Sequence, residues 1–79
     1  MPKTRKYGDP YENLANAIVL QAAEDYMRAL RRYKRDPDNY LALRAVKENE
    51  RFFYSDWFSV LTSMDPDYLI EILRKKVDA

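Results

Sequence analysis

The sequence predicts an all-α domain, a compact bundle of three to four helices over residues 11–35, 38–54, 56–63 and 66–77. Three observations carry that expectation. Apolar residues recur at helical spacing over most of the chain, and three Asp-Pro pairs punctuate it. No stretch alternates apolar and polar residues as a half-buried strand does. One Gly, four Pro and 47% hydrophobic residues describe a folding chain rather than a low-complexity one. A single domain over 9–79 follows a basic arm at 1–8, where Lys3, Arg5 and Lys6 sit without periodicity.

The segment Phe52 to Leu61 organises the rest. It holds all three Phe and the only Trp, and each aromatic side chain buries about 150–250 Å², so the core is expected where this segment packs.

Asp9-Pro10, Asp36-Pro37 and Asp65-Pro66 each read as a helix start. Asp accepts from free backbone N–H groups, and Pro fits the first helical position, where a missing N–H costs nothing. A second acid (Glu12, Asp38, Asp67) falls near the positive end of each helix dipole. A calcium loop would need ligands spread over about 12 residues around a central Gly. Neither Asp36/Asp38 nor Asp65/Asp67 has that pattern, so capping is the expectation.

In the first helix, Ala15, Ile18, Val19, Ala22, Ala23, Tyr26, Ala29, Leu30 and Tyr33 share one arc at 100° per residue. Its four Ala predict close approach of another helix. Leu20 and Met27 lie just outside the arc, as the edge of a broad core or as a second stripe that meets a partner. The second helix should start at Asp38 and turn Leu41, Ala42, Ala45, Val46, Phe52 and Phe53 inward. Asn49 falls in that arc, as a buried amide fixing the packing register or as an amide offered to a ligand. Arg44, Lys47, Glu48, Glu50 and Arg51 read as a solvated face with opposite-charge pairs three and four apart. Ser55 caps a short third helix carrying Trp57, Val60, Leu61 and Met64, unless one long helix continues through it. The last helix turns Leu69, Ile70, Leu73 and Val77 inward and ends on Arg74, Lys75 and Lys76, where positive charge suits the dipole.

Composition narrows the chemistry. Without His, the commonest general base and metal ligand is missing; without Cys, there is no thiolate ligand and no disulfide. Ser55-Asp56 has no base to take a proton, and Gly8 alone makes no phosphate loop. No catalytic residue, metal or cofactor is expected, and no enzyme. The longest apolar run, Ala17 to Leu20, is far below the ~20 residues of a membrane span, so a cytoplasmic protein is expected.

Two surfaces remain as candidates. Tyr40, Tyr54 and Tyr68 project off the inward arcs and, with Leu20 and Met27, are the candidate protein interface, since Tyr is enriched at binding hot spots. Arg28, Arg31, Arg32, Lys34 and Arg35 put five positive charges into eight residues, a candidate nucleic-acid contact. A net charge of +1 weighs against a polyanionic partner. Homodimerisation through the first helix is a third expectation, because small domains gain stability by oligomerising.

Several segments also carry a resemblance: Asn13-Leu14-Ala15-Asn16-Ala17-Ile18, Glu50-Arg51-Phe52-Phe53, Ser55 to Thr62, and Asp67-Tyr68-Leu69-Ile70 with Leu73-Arg74. Over residues 13–75 the chain resembles small uncharacterised proteins carried by phages and integrative mobile elements of Gram-positive bacteria. The resemblance implies a setting rather than a site. Accessory proteins of such elements act by binding a host or element protein, including defence systems they inhibit. The leading expectation is therefore a non-enzymatic protein-binding module, with a small nucleic-acid-binding regulator as the alternative.

Overall fold

The computed structural model describes residues 10–78. The basic arm expected at 1–8 and the cap expected at Asp9 lie outside the described residues. The fold is all-α: α1 (Pro10–Arg35), α2 (Tyr40–Phe53), α3 (Asp56–Leu61) and α4 (Pro66–Asp78), with no strand among the described residues.

Helix α1 is the spine, and α2, α3 and α4 all pack on it. A turn at 36–39 folds α2 back antiparallel to α1. Tyr26 meets Arg74, and Lys34 meets Asp78 further along, so α4 runs in the same direction as α1. The expected arc of α1 is the one that faces the core. Ala15, Ala23, Tyr26 and Ala29 are buried, and the small Ala side chains let the neighbouring backbones approach. Among the large side chains of the described residues, Tyr26, Phe53 and Phe58 are the most completely buried, at 0%, 1% and 1% exposure. Their rings meet edge-on with centroids 5.4 Å apart, Phe53 touching both others. Edge-on pairing sets the positive rim of one ring against the negative face of the next. Leu69, Ile70 and Leu73 of α4 close the core from the other side.

Capping decides where the helices begin, and it corrects one expectation. The second helix does not start at Asp36-Pro37-Asp38. Asp36 instead accepts from the Asn39 N–H at 2.9 Å to close the turn, and Asn39 takes an extended backbone with its side-chain oxygen on the Ala42 N–H at 3.1 Å. An acceptor directly before the first helical residue outcompetes one three positions earlier. The Asp65 start holds as expected, its side chain accepting from the Asp67 N–H at 3.0 Å.

Ser55 ends the question of a continuous helix. Its hydroxyl donates to the Phe52 carbonyl at 2.6 Å, closing α2, and accepts from the Phe58 N–H at 3.2 Å, opening α3. Helix α3 stops at Leu61 rather than at residue 63, because Thr62 is fully extended.

Candidate functional site

The break at Ser55 re-aims the aromatic segment. Phe58, not Trp57, enters the core, against Phe52 at 5.7 Å and Phe53 at 5.4 Å. Trp57 is 59% and Val60 60% exposed, and Met64 is exposed as well, so the expected inward set of the third helix is overturned except for half-buried Leu61. A six-residue helix has room to bury one ring, and the ring that meets two Phe already in the core takes the place. Leu41 is also turned out, at 64% exposure, because the buried arc of α2 runs through its neighbour Ala42 and Val46 and leaves Leu41 to one side.

A polar cluster joins three helices where the sequence suggested a solvated face. The Tyr26 hydroxyl donates to Glu50 Oε2 at 2.6 Å, and Arg74 donates to that same oxygen at 2.7 Å through Nη2. Arg74 Nε also donates to the Tyr26 oxygen at 3.1 Å, which closes a triangle. Glu50 is therefore half-buried and committed, and Arg74 bridges helices as well as ending one. Burial, followed by the Glu50 hydrogen bond, pushes the Tyr26 hydroxyl up to about 12. Partial burial pulls the Glu50 carboxyl upward, but the hydrogen bonds from Tyr26 and Arg74 and the Arg74 charge outweigh it and hold it below its ordinary value. Beside the triangle, between the end of α2 and α4, lies a cleft of about 330 Å³ lined by Tyr54, Asp67, Ile70 and Glu71 among others. The Tyr54 hydroxyl donates to the Asp67 carboxylate there, and that bond raises the Tyr54 hydroxyl. Nothing in the sequence marked the triangle, because 24 residues separate each successive pair of partners.

The candidate interface residues do not form one surface. Leu20, Tyr40, Tyr54 and Tyr68 are exposed, while Met27 is half-buried against the core. Tyr40 and Tyr54 stand at opposite ends of α2, about 21 Å apart at 1.5 Å per residue. Asn49 is half-buried and its amide is satisfied, as expected, with the bond made inside its own helix, to the Ala45 carbonyl at 2.8 Å. Trp57 and Val60, expected inward, and Tyr11 and Leu14, which entered neither candidate surface, are all exposed.

The basic run divides. Lys34 points to α4, where it pairs with Asp78 at 3.2 Å, and Arg28 pairs with Asp25 at 2.9 Å. Arg31, Arg32 and Arg35 make no ion pair among the described residues and stay exposed. Together with Arg28, Glu24 and Met27 they line a shallow cleft of about 280 Å³ on the outer face of α1. No described helix is long and apolar enough to cross a membrane. No family model, curated protein or solved structure matches the chain.

Proposed function

We propose that the chain is a non-enzymatic protein-binding module, an accessory protein of a phage or mobile element that occupies a surface of a host or element protein. The observation that carries this reading is the outward face of α3, where Trp57 and Val60 stand exposed. Residues three apart on a helix are neighbours, so one turn presents a large aromatic beside a branched aliphatic. Leaving such area in water forgoes about 25 cal/mol for each Å² that burial would remove. Trp is among the residues most enriched at binding hot spots.

The face is also anchored at two points. Phe58 anchors α3 from below and the Ser55 cap fixes its start, so little ordering entropy opposes binding. The polar cluster that reaches into the core, Tyr26–Glu50–Arg74, satisfies its own hydrogen bonds and joins helices, which supports a structural rather than catalytic duty. The resemblance noted in the sequence supports a mobile-element setting, inhibition of a host defence system included. A chain without Cys suits a reducing cytoplasm.

Capture from bacterial lysate, with nuclease present, tests the reading by comparing the wild type with Trp57→Ala. The proposal expects one protein recovered by the wild type and reduced at least about tenfold by the variant, the usual effect of losing a hot-spot side chain. Equal recovery of every protein by both forms would refute it.

A further inference from the structure

The outer face of α1 is independent of α3. Leu20, Glu24, Met27, Arg31 and Arg35 fall within one arc of about 80° at 100° per residue, with half-buried Met27 at its edge nearest the core. We infer that this face is a second interaction surface, and that it docks an acidic segment of a partner protein bearing an apolar side chain.

Charge complementarity names the class of partner. Three guanidinium groups, at Arg31, Arg32 and Arg35, make no ion pair with a carboxylate of the described residues. An Arg fork binds a carboxylate bidentately, and the bond is about twice as strong as a neutral one. A phosphate rail would use the same forks, and two features weigh against it. Arg28 to Arg35 spans only about 10 Å of helix at 1.5 Å per residue, enough for about three phosphates where duplex binders neutralise about 6–10. Acids also bracket the patch: Glu24 lines the same cleft, and Asp36 and Asp38 are exposed just beyond its end. Those acids repel a continuous polyanion but leave room for one or two carboxylates. Met27 in the cleft and exposed Leu20 seven residues before it add apolar area, which a partner side chain covers and a sugar-phosphate backbone does not.

Fluorescence anisotropy with two labelled probes tests the inference: a soluble peptide carrying two Glu and a single Leu among neutral residues, and a duplex DNA oligonucleotide of mixed sequence. The peptide should bind, and the double variant Arg31→Glu/Arg35→Glu should weaken it at least about tenfold, since reversal turns two attractions into repulsions. Leu20→Ser should weaken it less, with an effect that persists in high salt. The duplex should bind more weakly than the peptide, with a log–log salt slope no steeper than about −3 for three phosphate contacts. Both arginines are exposed, so circular dichroism of the double variant should match the wild type. Tighter binding of the duplex, a peptide indifferent to the reversals, or no binding of either probe would each overturn the inference. Trp57→Ala should bind the peptide like the wild type, so failure on this face and failure on α3 are told apart.

Discussion

Tyr26 of α1, fully buried, donates its hydroxyl to half-buried Glu50 of α2 at 2.6 Å. Arg74 of α4 binds both, so one carboxylate oxygen ties three helices together.

Glu50→Ala leaves the Tyr26 hydroxyl without its acceptor inside the core. The expected cost is about 1–3 kcal/mol, or about 4–8 °C of Tm per kcal/mol in a domain of this size. Tyr26→Phe removes the hydroxyl but keeps the Glu50–Arg74 pair, and should cost about 0.5–1.5 kcal/mol. Urea denaturation of both variants checks the order. Arg74 is more than half exposed, so solvent screens its share of the pair.

The same triangle gives stability a pH dependence at both ends. Glu50 is held below its ordinary 4.5, so its contribution is present above that value and is lost as acid protonates the folded carboxylate. Tyr26 is raised from 10.0 to about 12, so its contribution is complete below 10.0 and is lost between 10.0 and about 12, where the unfolded chain ionises first. Thermal melts should show Glu50→Gln less acid-sensitive, and Tyr26→Phe less alkali-sensitive, than the wild type.

Adjacent aromatics in α3 should behave oppositely. Phe58→Ala empties a site 1% exposed and should cost about 3–5 kcal/mol, enough to unfold much of a marginal domain. Trp57→Ala removes a side chain 59% exposed and should stay within about 0.5 kcal/mol. Equal losses at both positions would contradict the observed facing of α3.

Helix starts can be read by substitution. Asn39→Ala and Ser55→Ala each remove a side-chain acceptor from a helix N–H and should cost about 1 kcal/mol. Asp36→Ala, which leaves the turn's backbone bond in place, should cost less than half of that. Denaturant midpoints measured under one condition rank the three.

Much of the fold was legible in local pattern. The arc of α1 through Tyr26 and the inward residues of α4 follow from spacing alone, because long amphipathic helices repeat the signal over several turns. Ser55 could be read as a cap because its chemistry is local. What failed was short or non-local. Helix α3 has too few residues for periodicity to choose between Trp57 and Phe58, and the choice was made by Phe52 and Phe53 outside it. Two acceptors competed to start α2, and Asn39, nearest the first turn, prevailed over Asp36. Glu50 was hidden among charged neighbours on α2, since its partners lie on other helices.

Trp57, the only Trp, reports directly on whether the outward face of α3 binds a partner. The measurement is its fluorescence with acrylamide quenching, taken alone and with the captured partner added. Emission from the isolated protein should be red-shifted and freely quenched, and should shift to the blue and lose quencher access in the complex. Emission already blue and protected in the isolated protein, or unchanged when the partner binds, would contradict a binding role for this face.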